Sequence, residues 1–274
     1  MKDAAYWQNL LLEEARKKYP GISPRVIEAY LKTPRHAFVP NFSADYETWL
    51  DNTHPNFPII YSDTTLLLHS EHEYISTISQ PSFVLRMLDL LDVKEGQKVF
   101  ELGAGSGWNA ALMGWLVGPK GKVLSYEIIP EMASLAQGNV ERLGLEQVSI
   151  IAGDAIGGFK EGAPFDRAIF TAGAWDLPGF FLEGFAPGGK FLFVLSTNAG
   201  DLLLAMEKVD DEFVVYSKIH CQFVKVTGKH AIQKKSSSLD ELYYSQALLR
   251  ISPKGKSHSG KQVISGNEVD YVLG

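Results

Sequence analysis

Glu101-Leu-Gly-Ala-Gly-Ser-Gly is the segment whose residue types and spacing point most directly to ligand chemistry. Its glycines allow the backbone to turn sharply and to approach a ligand closely. The segment is not the dinucleotide fingerprint, because that pattern requires a glycine at the position where Trp108 stands. A bulky ligand that is less charged than a pyrophosphate is therefore indicated.

Two further carboxylates occur where a nucleoside could be bound. Glu127 ends a predicted strand, 20 residues after Gly107, and can accept hydrogen bonds from both hydroxyls of a ribose. Asp154 follows the next predicted strand, where it can meet an adenine amino group. Taken singly, Glu127 could be a solvated strand end and Asp154 a helix N-cap. Because these carboxylates and Glu101 follow successive strands, we expect all of them at the carboxyl edge of one sheet.

Alternating strand-like and helix-like segments must position these residues. Strands are predicted at 98–103, 122–127, 148–152, 165–171 and 191–195, and helices at 4–18, 23–32, 81–91, 109–117 and 130–143. The alternation predicts an α/β fold of the doubly wound, Rossmann-like kind, with a mainly parallel sheet and an N-terminal helical cap. Two apolar runs, 202–209 and 213–219, predict an antiparallel hairpin at the C-terminal end of the sheet.

The chain divides by its sequence pattern into three regions. Residues 1–92 form the N-terminal helical region, within which 41–65 is predicted to be irregular, and residues 93–228 form the core. Beyond Gly228 the periodicity weakens, and only a short helix within 239–249 is suggested. We therefore expect 229–274 to be a flexible extension, and we expect the core to fold without residues 234–274.

Composition narrows the function classes. The 274 residues are 45% hydrophobic, which is ordinary for a globular chain, and the formal net charge of −6 argues against nucleic acid as the partner. No apolar run reaches the roughly 20 residues that span a bilayer, so no membrane partner is expected. Cys221 is the sole cysteine, which excludes an intrachain disulfide and fits a reducing cytoplasm. A monomer is the default expectation for the oligomeric state.

Several segments carry a resemblance to known methyltransferases. The segments at 99–107, 123–127, 148–155, 165–171 and 187–193 resemble those of the class I S-adenosylmethionine-dependent methyltransferases. More narrowly, the chain resembles the protein-L-isoaspartate O-methyltransferases, which share P-R-x-x-F-V-P, T-I-S-Q-P and F-V-P-L segments. Here these read Thr33-Pro-Arg-His-Ala-Phe-Val-Pro, Thr77-Ile-Ser-Gln-Pro and Gln222-Phe-Val-Lys-Val. The resemblance extends over about residues 5–228 and preserves the order of the segments.

The resemblance implies carboxyl O-methylation of L-isoaspartyl, or related aspartyl, residues in proteins or peptides, a repair reaction. S-adenosylmethionine is the implied methyl donor, S-adenosylhomocysteine the product, and no metal is implied. A carboxylate is already ionised at neutral pH, so no general base is needed. The implied cofactor-binding residues are Glu101, Gly103, Ala104, Gly105, Gly107, Glu127, Ile128, Asp154 and Ala155.

The resemblance also implies an acceptor side. Ser79 is the implied catalytic residue, whose hydroxyl orients the acceptor carboxylate, although its position before Gln80-Pro81 is also typical of a helix N-cap. The other implied acceptor-binding residues are Thr77, Ile78, Thr171, Ala172 and Phe223.

Three departures from the family pattern leave the acceptor open. Residues 66–76, predicted to be a loop over the acceptor, are longer than in the family and lack its glycines. Lys225 replaces the closing proline, and Val194-Leu-Ser replaces P-V-G. His69, Glu71, His72 and Glu73 lack the H-E-x-x-H metal spacing and are interpreted as solvated.

Two alternative functions follow from these departures. One is a methyltransferase for a different acceptor, either an aspartate of one dedicated peptide or a small molecule. The other is a non-catalytic protein that binds S-adenosylmethionine. The intact segment 103–107, with Glu127 and Ser79, argues against the second alternative, since a lapsed enzyme need not keep these residues.

Overall fold

The computed structural model describes residues 2–228, 231–232 and 239–274. The chain forms two compact units. The first unit comprises the described residues up to Lys98 together with Ala104–Gly153, and the second comprises Val99–Gly103 with the described residues from Asp154 to Gly274. The glycine-rich segment is therefore divided between the units: residues 101–103 belong to the second unit and residues 104–107 to the first.

Six helices of the first unit include all five that the sequence predicts. They are α1 (Ala4–Lys18), α2 (Pro24–Lys32), α3 (Phe57–Ile60), α4 (Pro81–Leu91), α5 (Trp108–Val117) and α6 (Pro130–Arg142). Asp3 caps α1 by accepting a hydrogen bond from the Tyr6 amide, and proline occupies the first turn of α2, α4 and α6. The apolar face of α1 packs on α4, and α2 packs on α5.

A small antiparallel sheet in the first unit corrects two expectations. Its strands are β1 (Asn41–Ser43), β2 (Trp49–Asp51), β3 (Leu66–Glu71) and β4 (Tyr74–Ile78), in the order β2-β1-β3-β4. The predicted loop 66–76 is thus mostly a β-hairpin, and 41–65 is not wholly irregular. The hairpin forms because Leu66, Leu67 and Leu68 are buried and His72 adopts the left-handed conformation at the turn.

The predicted parallel strands are confirmed. In the first unit β6 (Lys122–Glu127) pairs in parallel with β7 (Val148–Ala152). Strand β5 (Lys98–Leu102), which belongs to the second unit from Val99 onward, pairs in parallel with β8 (Phe165–Phe170). In the same unit β8 pairs in parallel with β9 (Phe185–Ser196), and helix α7 (Ala155–Gly162) precedes β8. Buried phenylalanines fill this part of the core, with the rings of Phe159 and Phe181 stacked at 3.9 Å between centroids.

The antiparallel part of the second unit is longer than the predicted hairpin. The hairpin itself is β10 (Asp201–Val209) and β11 (Glu212–Cys221), and it pairs with β9. Beyond it lie α8 (Asp240–Tyr244), β12 (Leu249–Pro253), β13 (Gln262–Ser265) and β14 (Val269–Leu273), which extend the order to β9-β10-β11-β12-β14-β13.

The expectation of a flexible C-terminal extension is wrong for residues 249–273. Every residue of β14 is buried, and the Tyr271 hydroxyl donates a hydrogen bond of 2.7 Å to Asp176, a residue of the same unit. These strands escaped sequence analysis because their alternation is short and their partners are distant along the chain. Among the described residues, no helix combines the length and the apolar character needed to cross a membrane.

Candidate functional site

Glu127 and the glycine turn are joined by hydrogen bonds within the first unit. The Gly105 amide donates to one carboxylate oxygen of Glu127 at 2.7 Å, and the Ile129 amide donates to the other at 3.0 Å. Glu127 is only 5% exposed, and this burial raises the pKa of its carboxyl, while the backbone hydrogen bonds oppose the rise. The carboxylate therefore fixes the shape of the turn as well as ending β6.

This carboxylate keeps room for further donors. An ionised carboxylate offers about four lone-pair positions, so the amides of Gly105, Ile128 and Ile129 do not exhaust it. Ile128, the half-buried residue between Glu127 and Ile129, lies at the same strand end. Ribose binding by Glu127 and Ile128 stays a prediction.

His69 is a residue whose position the sequence interpretation missed. It lies on β3 and is half-buried, and a charge on its imidazole is among the influences that lower the pKa of Glu127. The neighbouring turn residues Glu71, His72 and Glu73 are exposed, as expected. The signal that could have separated His69 from them is the run of leucines at 66–68, which predicts a strand.

The structure brings the Thr77-Ile-Ser segment against the glycine turn within the first unit. Gly105 has φ +54°, and a Cβ built on it would lie 3.6 Å from both the Ser76 hydroxyl oxygen and the Thr77 carbonyl oxygen. Residues with a side chain rarely adopt this backbone conformation. Glycine at position 105 is therefore required by the backbone conformation of the turn. The implied cofactor-binding and acceptor-binding segments are neighbours at this point.

Arg35 fixes the backbone of the acceptor-side segment. Its guanidinium is wholly buried and donates to backbone carbonyls, those of Ile60, Ser62, Thr64, Ile78 and Ser79. Burial lowers the pKa of Arg35 to about 10, which leaves it charged at neutral pH. The P-R-x-x-F-V-P segment, used in the sequence only as a signature, thus supplies a cation that fixes both ends of the stretch from Ile60 to Ser79.

The helix N-cap alternative for Ser79 does not hold. The N-cap of α4 is Gln80, and the Asp63 carboxylate accepts hydrogen bonds from the Ser82 amide at 2.8 Å and the Ser82 hydroxyl at 2.7 Å. Within the described ranges, the Ser79 hydroxyl has no hydrogen-bond partner. Its side chain is therefore available to a ligand, whereas its backbone is held by Arg35.

Trp108 belongs to the core rather than to a ligand surface. Its side chain is 2% exposed, and its indole N–H donates to the Thr33 carbonyl at 3.1 Å. The ring lies 5.8 Å from the Arg35 guanidinium carbon. Trp108 therefore supports the residues around Arg35.

In the second unit, Thr171 is bonded to the start of the glycine-rich segment. Its hydroxyl lies 2.9 Å from the Leu102 carbonyl and 2.6 Å from the Gly103 carbonyl. Gly103 has φ +93°, and a Cβ on it would collide with the Thr171 hydroxyl. Thr171 thus positions the turn after β5, and the acceptor-binding role implied for it and for Ala172 stays a prediction.

Asp154 is the N-cap of α7, because its carboxylate accepts a hydrogen bond from the Ile156 amide at 3.0 Å. The alternative interpretation of Asp154 is therefore confirmed. Glu101 and Ala155 are buried in the same unit. Their cofactor-binding roles stay predictions.

The segment Gln222-Phe-Val-Lys-Val closes on the loop that follows β8. The Gly173 amide donates to the Val224 carbonyl at 2.8 Å, and the Val226 amide donates to the Gly173 carbonyl at 2.9 Å. The Phe223 amide donates to the Asp201 carboxylate at 2.9 Å. Val224 and Val226, which flank Lys225, thus bond to the loop that follows Thr171 and Ala172, and the acceptor-binding role implied for Phe223 stays a prediction.

Comparison with known proteins assigns the family of this chain. The model of the protein-L-isoaspartate(D-aspartate) O-methyltransferase (PCMT) family matches residues 7–231. The chain belongs to this family. The match covers most of both units, and the family is one of methyltransferases that use S-adenosylmethionine.

Individual relatives agree with the family assignment. The chain is 37% identical over 218 residues to the protein-L-isoaspartate O-methyltransferase of Methanopyrus kandleri, covering 78% of this chain and 88% of the relative. It is 37% identical over 223 residues to that of Methanothrix thermoacetophila, covering 81% and 96%.

A solved structure confirms the α/β fold of the family. A protein-L-isoaspartate O-methyltransferase superposes with a TM-score of 0.69 at 22% identity, covering 97% of this chain and 87% of the other. A Plasmodium falciparum β-aspartate methyltransferase (PCMT) in complex with S-adenosyl-L-homocysteine superposes with a TM-score of 0.64 at 20% identity, covering 79% and 96%.

Proposed function

We propose that the chain transfers the methyl group of S-adenosylmethionine to the α-carboxylate of L-isoaspartyl residues in proteins or peptides. Family membership supports the reaction class, and the curated relatives carry that name at 37% identity. One observation supports the acceptor side most directly. The partner-free hydroxyl of Ser79 stands on a backbone that Arg35 clamps, in a segment that lies against the glycine turn at Gly105.

The residues of the first unit fit S-adenosylmethionine. The turn at Gly105 has no side chain to keep a ligand away, and the three amides that donate to Glu127 leave its carboxylate able to accept from a ribose hydroxyl. When bound, the cofactor supplies a methyl group on a positively charged sulfur. We infer that Gly105, Gly107 and Glu127 bind the cofactor. The family resemblance also implies cofactor contacts for Glu101, Gly103, Asp154 and Ala155.

The chemistry demands little beyond alignment. A bond between the acceptor carboxylate oxygen and the methyl carbon forms while the methyl–sulfur bond breaks, so that a methyl ester and the neutral thioether S-adenosylhomocysteine result. No proton is transferred, because the carboxylate is ionised at neutral pH. The Ser79 hydroxyl would donate a hydrogen bond that orients the carboxylate, and a fixed backbone at Ser79 reduces the orientational freedom to be lost.

Methyl transfer to a different acceptor is the second candidate function. The β3–β4 hairpin is the observation that favours it. In this chain residues 66–78 form a paired hairpin with an exposed turn at 71–73 that carries two glutamates. A hairpin is less adaptable than a glycine-containing loop, because its backbone amides and carbonyls are paired across the ladder. This segment would therefore restrict which peptides reach Ser79.

A comparison of matched peptides tests the proposal. Transfer of labelled methyl groups from S-adenosylmethionine is measured with an isoaspartyl peptide, its aspartyl twin and a peptide without aspartate, while binding of S-adenosylhomocysteine is measured separately. We expect methylation of the isoaspartyl peptide far above its twin. Preference for the aspartyl twin would establish the second candidate, and cofactor binding without any transfer would point to a non-catalytic binding protein.

A further inference from the structure

We propose that Lys225 positions the acceptor, by donating a hydrogen bond from its ammonium group to an oxygen of the peptide beside the modified residue. This inference rests on the proposed function, since it assumes that the acceptor lies by the loop of Thr171 and Ala172. Lys225 stands where the family pattern has its closing proline, which has no side-chain donor. The inference therefore concerns a feature of this chain rather than of its family.

Two buried groups of the second unit hold the Lys225 ammonium in place. It forms an ion pair with one oxygen of Asp201, whose side chain is 2% exposed, and it donates to the Ser196 hydroxyl oxygen at 2.9 Å. The other oxygen of Asp201 accepts from the Phe223 amide at 2.9 Å. A lysine side chain is ordinarily flexible, so this anchoring removes conformational freedom before any peptide arrives.

The anchored ammonium keeps one donor for a ligand. An ammonium group has three N–H donors. In the part of the chain that the structure describes, Asp201 and Ser196 are the acceptors of Lys225. The Lys225 side chain is 43% exposed, so the remaining donor is accessible from solvent.

Lys225 lies beside the loop that carries the implied acceptor-binding residues Thr171 and Ala172. A Cβ built on Gly173 would lie 3.5 Å from the Lys225 ammonium nitrogen, and Gly173 directly follows Ala172. Trp175, whose ring centroid lies 5.5 Å from that nitrogen, and Ser196 also line a cavity of about 220 Å³. This volume is below the range of pockets that hold whole small-molecule ligands, and it suits a single flanking side chain of a peptide.

Because it is paired with Asp201, the Lys225 ammonium is suited to positioning the acceptor peptide rather than to accelerating methyl transfer. Methyl transfer removes negative charge from the carboxylate, so a lone cation nearby would stabilise the reactant more than the transition state. Asp201 balances the charge of Lys225 and leaves mainly a directional donor. The contribution of Lys225 is therefore expected in KM rather than in kcat.

The test compares Lys225→Met with the double variant Lys225→Met/Asp201→Asn, because the single change leaves a buried carboxylate unpaired and can impair folding. In the double variant the amide side chain introduced by Asp201→Asn would still offer an oxygen to the Phe223 amide, and Lys225→Arg serves as the conservative rescue. The control is Lys256→Met, which removes an ammonium paired with Asp211 at the opposite end of the β10–β11 hairpin.

Two isoaspartyl peptides identical except for Glu or Gln at a flanking position provide the readout. We expect a rise in KM of roughly two- to tenfold in both methionine variants, as for one hydrogen bond, with kcat and S-adenosylhomocysteine affinity unchanged. A rise confined to the Glu peptide would identify a side-chain carboxylate as the bound oxygen, and an equal rise for both would identify a backbone carbonyl. Lys225→Arg should restore KM, and Lys256→Met should not change it.

Two results would overturn the inference. The first leaves the proposed function intact, and the second contradicts the proposed function as well. If the double variant methylates both peptides with wild-type KM, Lys225 does not touch the acceptor and the proposed function stands. If the wild-type protein binds S-adenosylhomocysteine but methylates neither isoaspartyl peptide, the proposed function falls and the inference falls with it.

Discussion

The guanidinium of Arg35 donates a hydrogen bond of 3.2 Å to the backbone carbonyl of Ser79, 44 residues further along the chain. The same guanidinium also donates to the carbonyls of Ile60, Ser62 and Thr64. One buried side chain therefore joins the segment before the β3–β4 hairpin to the segment after it. The hydroxyl of Ser79 is thereby presented from a fixed backbone. This arrangement explains how a segment without a helix or a strand at Ser79 can hold a well-defined position.

Replacement of Arg35 by Met should destabilise the protein by at least about 3 kcal/mol, because several buried carbonyls lose a charged donor at once. The free energy of unfolding from urea titration measures this loss. Arg25→Met is the matched control, since Arg25 is exposed and bonds to the carbonyls of Val93 and Leu116. An equal loss in both variants would show that Arg35 has no special structural role.

Replacement of Glu127 by Ala should weaken S-adenosylhomocysteine binding by roughly 1.5–3 kcal/mol, the range for hydrogen bonds to a charged group. Calorimetric titration measures the affinity, and circular dichroism checks that the glycine turn still folds after loss of the Gly105 and Ile129 bonds. Glu131→Ala, an exposed glutamate on α6, is the control. Unchanged affinity in a folded Glu127→Ala variant would show that Glu127 does not bind the cofactor.

Replacement of Ser79 by Ala should lower kcat for an isoaspartyl peptide by roughly tenfold, with S-adenosylhomocysteine affinity unchanged, because one orienting hydrogen bond is lost. Ser82→Ala provides the contrast, since the Ser82 hydroxyl is bonded to Asp63 and should affect the melting temperature instead. Loss of stability rather than of turnover in Ser79→Ala would contradict the acceptor role.

Truncation after residue 232 should destabilise the second unit, contrary to the expectation from sequence. The change removes β14, whose Val269, Tyr271, Val272 and Leu273 are buried, at about 1.5–3 kcal/mol for each large apolar side chain. Tyr271→Phe is the milder variant, because it removes the hydrogen bond to Asp176 alone. Val263→Ala, on the exposed side of β13, is the control. A melting temperature unaffected by truncation would restore the idea of a dispensable extension.

The buried carboxyl of Asp176 should give folding stability a defined dependence on pH. Burial raises its pKa above the ordinary 3.8, and hydrogen bonds from Tyr271, Asn267 and Leu177 only partly offset the rise. The folded state therefore binds the proton more tightly than the unfolded chain, and this stabilising contribution is present at low pH and is lost as pH rises through the folded-state pKa.

Melting temperatures of the wild type and of Asp176→Asn between about pH 4 and pH 7 measure this contribution. The difference between the two proteins should shift against the wild type as pH rises. Asp166→Asn, a half-buried aspartate on β8 in the same unit, is the comparison variant. A difference that is constant over the range would show that Asp176 titrates alike in the folded and unfolded states.

The amino-acid sequence alone determined the helices, strands and turns that depend on neighbouring residues along the chain. The glycines of 103–107 permit positive φ wherever they occur, prolines at 24, 81 and 130 begin helices, and apolar runs such as 148–152 form strands. The parallel strands, the helices and the placement of Glu127 at a strand end followed from these features. The family resemblance added the implied roles of residues such as Ser79.

Only tertiary structure decided the contacts that join residues distant along the chain. Nothing near Arg35 indicates that its guanidinium will meet the carbonyls at 60–79, and Asp176 and Tyr271 are 95 residues apart. Strands β12 and β14 have too short an apolar pattern to be predicted alone. Their stability comes from burial and from pairing, of β12 with β11 and of β14 with β12. The anchoring of Lys225 by Ser196 and Asp201 is of the same kind, because a buried polar group must find its partner in space rather than in sequence.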